Sequence, residues 1–281
     1  MKFGIVGLGR MGRNLSLQAI GKKHRVVAYD AAADWELTKR GFDLALTLKD
    51  LVNQLEAPRI VLMYVPHGKP TDDSVNELSH LLDAGDIVAD GGNSHWKDSV
   101  RHYQELKQKG IAFLDVGTSG GIEGAQTGAC FMVGGDQDAY KALAPLLNDL
   151  AVPGGVIHAG ASGAGHFVKL IHNAIEFGMV QAIGEGVDLL VRSDYPLDLP
   201  ALFRNWNHGS VIRVGSSSSW SEVCANTASN NFPVAWKTLA RSGGRWNTRW
   251  KKKSGHPSSR SRRWRFTATE TRTASPVRQW L

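Results

Sequence analysis

The sequence predicts an α/β protein: a doubly wound parallel sheet in the N-terminal part, followed by an all-α C-terminal segment. Three observations predict it. Short apolar runs alternate with helical segments up to about residue 160, the rhythm of parallel strands joined by helical crossovers. The first run ends in a glycine-rich turn that opens a helix. From Gly163 the rhythm gives way to one long helical pattern.

The elements follow in order. Residues 2–7 (KFGIVG) read as a short apolar strand, NLSLQAIGKKH as a helix ending near Gly21, and HRVVAYD (24–30) as a second strand closing on Asp30. Further strands are predicted at RIVLMYV (59–65), DIVAD (86–90), IAFLDV (111–116), ACFMVGG (129–135) and GVIHAG (155–160). VNELSHLL, KDSVRHYQELKQKG and AYKALAPLLNDL read as helices between them. The stretch from Gly163 to Asp194 is apolar on most faces, which predicts a buried helix. The expected division is a nucleotide-binding domain over 1–160, the start of a helical domain over 161–213, and a tail over 214–281.

Composition narrows the class. The chain has 281 residues, 42% hydrophobic and 21% charged, which excludes global disorder and allows a sizeable core. The two cysteines, Cys130 and Cys224, form no CxxC pair, against a disulfide scaffold or a cysteine zinc site. No apolar run reaches membrane-spanning length. The start MKFGIVGLG reads as a buried strand running into a glycine turn, whereas a signal peptide needs a basic start, a longer apolar stretch and a small-residue cleavage site. The expectation is a soluble, cytoplasmic protein.

The turn GLGRMG sits directly after a strand and opens a helix. Gly7 permits the tight turn, Gly9 lets the backbone approach a pyrophosphate, and Gly12 allows close helix–strand packing. Leu8, Arg10 and Met11 complete the loop, and the helix N-terminus offers free N–H groups to phosphates. The domain therefore reads as a Rossmann domain. Asp30 lies 18 residues past Gly12. A carboxylate there accepts hydrogen bonds from ribose hydroxyls and repels a 2′-phosphate. Ala31, Ala32 and Ala33 follow, leaving Arg10 as the only nearby base. The expected cofactor is NAD rather than NADP.

Lys169, His172, Asn173 and Glu176 fall at i, i+3, i+4 and i+7, on one face of the predicted long helix. An amine, an imidazole, an amide and a carboxylate facing one cleft suit acid–base work on a polyol. The residues alone fit a buried polar network equally well.

Three segments go beyond a generic dinucleotide fold: DGGNSHWKDS (90–99), DVGTSGGIEGAQTG (115–128) and GAGHFVKLIHNAIEFG (163–178). With GLGRMG they resemble the decarboxylating 6-phosphogluconate dehydrogenases, the shorter NAD-preferring bacterial type, over about residues 1–213. NWNHGSVIR (205–213) extends the resemblance. It implies oxidative decarboxylation of 6-phosphogluconate to ribulose 5-phosphate with hydride transfer to NAD. Lys169 would be the base on the 3-hydroxyl and would then stabilise the enolate oxygen. Glu176 would protonate C1. Asn93 would contact both cofactor and substrate. Ser119, Gly120 and Gly121 would take the substrate carboxylate, His172 and Asn173 its hydroxyls, and Arg213 its phosphate. Val65, Pro66 and His67 would lie beside the nicotinamide. No metal is implied, because the β-keto group is the electron sink. The family's homo-oligomers imply a homo-oligomer here if the helical domain is intact. Phe177 departs from the family's tyrosine, which removes a donor to the phosphate. The alternatives are a related dehydrogenase of the 3-hydroxyisobutyrate type, which typically lacks the His-Asn-x-x-Glu continuation, and an inactive nucleotide-binding product.

Charge is uneven along the chain. The overall +7 combines a net −4 over residues 1–213 with a net +11 over residues 214–281. The tail also holds six of nine tryptophans and no Ile or Met. Its first stretch, VGSSSSWSEVCANTASNN, has no helical apolar period. Synonymous codons for residues 214–224 can be chosen so that reading two bases on gives Trp-Leu-Ile-Glu-Leu-Leu-Val-Gly-Gly-Met, an amphipathic helix. A shifted reading frame near codon 213 therefore accounts for all these features together. A nucleic-acid-binding tail with cation–aromatic clusters accounts for fewer of them.

Overall fold

The computed structural model describes residues 1–32 and 35–212. The expectations for residues 213–281, the tail and Arg213 among them, lie outside the described residues. Eight strands form one sheet: β1 (Lys2–Val6), β2 (Arg25–Tyr29), β3 (Phe42–Leu44), β4 (Ile60–Met63), β5 (Ile87–Asp90), β6 (Ala112–Ser119), β7 (Ala129–Gly134) and β8 (Ala151–Gly160). Their order is β3-β2-β1-β4-β5-β6-β7-β8. Every neighbouring pair is parallel except β6 and β7, which are antiparallel and pair Asp115 with Gly134 and Ser119 with Cys130. The sheet is thus mostly parallel, as the sequence predicts, with one antiparallel pair. Only residues 120–128 separate the two strands, and a parallel return needs a dozen residues or more.

The helices are α1 (Arg10–Gly21), α2 (Leu48–Asn53), α3 (Lys69–Leu81), α4 (Trp96–Lys107), α5 (Gly121–Thr127), α6 (Gln137–Leu150), α7 (Ala164–Val191) and α8 (Leu199–Asn207). Alternate strand residues face opposite ways, so the sheet feeds two cores. Phe3, Ile5, Leu62, Ala89 and Leu114 join Leu15 of α1 and Leu143 and Leu147 of α6 on one side. Val27, Val61, Met63 and Val88 join Leu51 of α2, Val75 of α3 and Leu106 of α4 on the other. Apolar burial on both faces explains why these strands read as continuous apolar runs.

Several elements escape the sequence pattern. β3, α2 and a 3-10 turn over Trp35–Arg40 lie between the second and third predicted strands, each too short to show a period. α3 starts at Lys69, six residues before VNELSHLL, with proline in its first turn, where a missing N–H costs nothing. α8 starts at its Asp198 cap, whose carboxylate accepts the Ala201 N–H at 3.0 Å.

The described residues divide into two compact units, the first Met1–Asn173 and the second from Ala174 on, with α7 running through the division. Within the second unit Val187 of α7 and Phe203 of α8 are buried, with Ile183, Leu190, Leu199 and Trp206 around them. The expected burial of the long helix is corrected for its later turns: Ile175 is 61% exposed, Met179 56% and Leu189 69%. Among the described residues α8 covers only one stripe of it. No helix among the described residues is long and apolar enough to cross a membrane.

One buried carboxylate ties the start of β4 to the start of β5. Asp86 is 1% exposed and accepts the Arg59 N–H at 2.6 Å, the Asp83 N–H at 2.9 Å and the Arg59 guanidinium at 2.9 Å. Asp86→Ala strands these donors and is expected to cost about 3 kcal/mol. Urea unfolding checks this: the midpoint should fall with the slope unchanged.

Candidate active site

The glycine loop, residues 65–67, Asn93 and residues 120–121 leave the carboxyl ends of the parallel strands β1, β4, β5 and β6. β1 sits between β2 and β4, so the chain after β1 and the chain after β4 turn to opposite faces of the sheet. The crevice between them is where an open α/β sheet takes its ligand.

On one side of that crevice lies the glycine loop. Gly7 has φ +95°, and a Cβ on it would lie 2.5 Å from the Tyr64 carbonyl oxygen. A Cβ on Gly12 would collide with the Gly7 carbonyl, so α1 packs directly on the turn. Gly9 caps α1, and a Cβ there would meet nothing within 4 Å. Its backbone faces open space that a phosphate can enter, and no acidic residue occupies the first turn of α1. Asp30 holds the loop from the end of β2. It accepts the Leu8 N–H at 2.6 Å and the Ala32 N–H at 2.8 Å. The cleft beside Gly9 is lined by Arg10, Arg13 and Arg40. Arg10 is therefore not the only nearby base. Arg13 comes one helical turn later and Arg40 from the turn before β3, a proximity that spacing alone does not show.

The loops after β4 and β5 meet through Tyr64. Its hydroxyl lies 3.1 Å from the Thr118 hydroxyl. Burial pushes its phenol above the ordinary value, against the Thr118 hydrogen bond and with the Asp90 charge adding to the rise. Asp90 is fully buried and accepts the Gly92 N–H at 2.9 Å and the Ser94 hydroxyl at 2.7 Å, which shapes the turn presenting exposed Asn93. Val65 is half-buried and Pro66 and His67 are exposed in the loop before α3.

The third part is the junction of β6 with the first turns of α7. The Asp115 carboxylate is fully buried and accepts the Gly163 N–H at 2.6 Å and the His166 N–H at 2.8 Å. A Cβ on Gly117 would lie 2.7 Å from Cβ of Lys169, and one on Gly165 would collide with main-chain oxygens of Asp115 and Met132. Helix and sheet therefore touch backbone to backbone, with the Lys169 stem over Gly117. A polar chain follows: Lys169 Nζ lies 3.4 Å from His172 Nδ1, and His172 Nε2 3.1 Å from Ser119 Oγ. Asn173 Oδ1 lies 3.3 Å from His172 Nδ1, while its Nδ2 donates to Asn93 Oδ1 at 3.5 Å. A Lys169 donor needs an unprotonated Nδ1 and an Asn173 acceptor needs a protonated one, so the two contacts alternate with the tautomer.

Lys169, His172, Asn173, Ser119 and Asn93 thus come together within the first unit. Gly120 has φ +114° and caps α5, and Gly121 opens that helix toward free space. The segment after Ser119 is a short helix rather than a plain loop. Glu176 and Phe177 follow on α7, exposed and within the second unit. The sequence reading missed Tyr64, Asp90 and Asp115. The latter two stand inside the quoted segments DGGNS and DVGTSGG, and their signal is a carboxylate at the end of an apolar strand, a group that burial forbids unless N–H donors receive it.

Comparison with known proteins agrees with this arrangement. The profile described as NAD binding domain of 6-phosphogluconate dehydrogenase matches residues 2–160, and that described as 6-phosphogluconate dehydrogenase, C-terminal domain, matches residues 165–213. The Bacillus subtilis (strain 168) protein YqeC is 49% identical over 216 residues, 76% of this chain and 72% of that one. The 6-phosphogluconate dehydrogenase, NAD(+)-dependent, decarboxylating, of Haloferax volcanii is 42% identical over 216 residues, 76% of this chain and 71% of that one. The Bacillus subtilis enzyme of the same name is 40% identical over 220 residues, 74% of this chain but 47% of that one. Among solved structures, Plasmodium falciparum 6-phosphogluconate dehydrogenase shares the fold with TM-score 0.68 and 24% identity, over 86% of this chain and 64% of that one. Mycobacterium tuberculosis 3-hydroxyisobutyrate dehydrogenase shares it with TM-score 0.65 and 22% identity, over 86% of this chain and 94% of that one. The chain belongs to the 6-phosphogluconate dehydrogenase family.

Proposed function

We propose that the chain carries out NAD-dependent oxidative decarboxylation of 6-phosphogluconate to ribulose 5-phosphate. The observation that carries this reading is the chain Lys169–His172–Ser119, set beside Asn93 at the carboxyl edge of a nucleotide-binding sheet. The nucleotide, when bound, supplies the hydride acceptor. Gly7, Leu8, Gly9, Arg10, Met11 and Gly12 hold its phosphates, and Asp30 its ribose. Val65, Pro66, His67 and Asn93 border the nicotinamide.

The residues then divide the proton work. Lys169, as a neutral amine, takes the proton of the substrate 3-hydroxyl as hydride leaves C3. His172 beside it keeps the amine in place and orients a hydroxyl. The 3-keto acid loses CO2, and protonated Lys169 stabilises the developing enolate oxygen. Glu176, two helical turns past Lys169, protonates C1 of the enediol. Ser119, Gly120 and Gly121 receive the substrate carboxylate, Asn173 a hydroxyl and Arg213 the phosphate. With Phe177 in place of a tyrosine, the phosphate has one donor fewer and KM is raised. Residues 1–160 form the nucleotide domain and 161–213 begin the helical domain in this reading.

Two experiments test it. NADH formation is followed with 6-phosphogluconate and with 3-hydroxyisobutyrate. Turnover is expected with the former and lost by about a thousandfold in Lys169→Met at unchanged NADH affinity. Turnover with 3-hydroxyisobutyrate alone contradicts the proposal. Separately, fluorescence titration is expected to give tighter binding of NADH than of NADPH, by about tenfold or more. Asp30→Ala should weaken NADH by about tenfold, because it removes the ribose acceptor and the support of the Leu8 amide. Equal affinities in the unsubstituted protein contradict the NAD preference.

A further inference from the structure

Asp115 touches neither substrate nor nucleotide in the reading above, yet it lies buried under the first turn of α7. It is an ionisable side chain with no exposed surface. Among the described residues its carboxylate meets no lysine or arginine; its partners are the N–H groups of Gly163 and His166. These are orphan donors at the start of a 28-residue helix, where the positive end of the helix dipole stabilises an anion. A carboxylate held by N–H donors in this way is stable in a buried position only while it stays on the helix axis.

The consequence lies further along both elements. Residues 115, 117 and 119 alternate onto one face of β6. Asp115 meets Gly163 and His166, Gly117 meets Gly165 and Lys169, and Ser119 meets His172. From 115 to 119 the strand advances about 13 Å. From 163 to 172 the helix advances about 13 Å as well. The two elements therefore run in register with equal repeat, and the first contact sets the other two. The imidazole of His166 adds a second pin. It is 2% exposed, and its Nδ1 lies 2.7 Å from the hydroxyl of Ser99 on α4.

We propose that Asp115 is the positioning residue of the site: its charge fixes the axial register of α7 on β6, and with it the placement and protonation of Lys169. The proposal rests on Lys169 being the base, and its test needs no turnover. In the full, unsubstituted chain, amide exchange over residues 163–170 is expected to be as slow as over β6. Exchange at the rate of an exposed loop overturns the cap, whatever the variants do. In Asp115→Asn one amide N–H faces another donor and the charge is gone. Exchange over 163–173 should then rise about tenfold or more, while peptides of β1 and α1 and the Kd for NADH change less than about twofold.

The readout that a merely structural role would not move is the titration of Lys169, followed as the pH dependence of its labelling by an amine-selective reagent. Loss of the register takes the Lys169 amine from its place beside His172, so the midpoint should move by about 0.5 pH unit or more in Asp115→Asn. Ser99→Ala loosens the same turn without removing the charge and should leave the midpoint in place. An unmoved midpoint in Asp115→Asn, or equal shifts in both variants, overturns the proposal. If Lys169 responds as expected but the unsubstituted chain does not turn over 6-phosphogluconate, the reading of the reaction fails and the positioning role stands.

Discussion

The candidate site depends on one contact: the first turn of a long helix seated without side chains between itself and the sheet. Gly117, Gly134 and Gly165 leave room for it, since a Cβ on any of them would press on backbone, on the Lys169 stem or on the Asp115 carboxylate. The absence of side chains removes the usual means of fixing a helix on a sheet, which is interdigitation. The Asp115 carboxylate supplies the direction that packing does not, through two N–H donors at the helix start. A seat so close brings a lysine stem within contact distance of strand β6 and a histidine to the hydroxyl at its end.

The same logic recurs at the other loops on this edge of the sheet. Asp30 stands just past β2, Asp90 ends β5, and Asp115 lies where the pairing of β6 with β5 ends; each accepts main-chain N–H groups of a nearby loop or helix start. Carboxylates have acceptors to spare and loops that leave a sheet have donors without partners. Three such pairings hold the three glycine-rich segments in shape, so that small residues can face a ligand while their backbone is still restrained. Tyr64 joins them from within, bonded to Thr118 and packed under Gly91.

Much of this was legible in the residues. The parallel strands were visible because both faces are buried and their apolar runs are continuous, as in IVLM at β4. The glycine loop was visible because its three glycines have three separate steric duties. Lys169, His172 and Asn173 were visible as a polar stripe on an apolar helix. What stayed hidden depends on tertiary placement. The reversal of β7 follows from a connection too short for a crossover, and α5 within it is built largely of small residues that carry no apolar period. Arg40 reaches the glycine loop from a turn that no periodicity announces. The later turns of α7 read as buried because they are apolar, but burial also needs a neighbour, and among the described residues α8 alone supplies one.

In the proposed reaction this edge of the sheet couples hydride transfer at C3 to loss of C1. A single-turnover reaction with NAD and 6-phosphogluconate carrying 13C at C1 and deuterium at C3 tests it directly by mass spectrometry. One labelled CO2 is expected for each deuterium delivered to the nicotinamide ring, in equal amounts. Deuterium transfer without labelled CO2, or labelled CO2 without deuterium transfer, would contradict it.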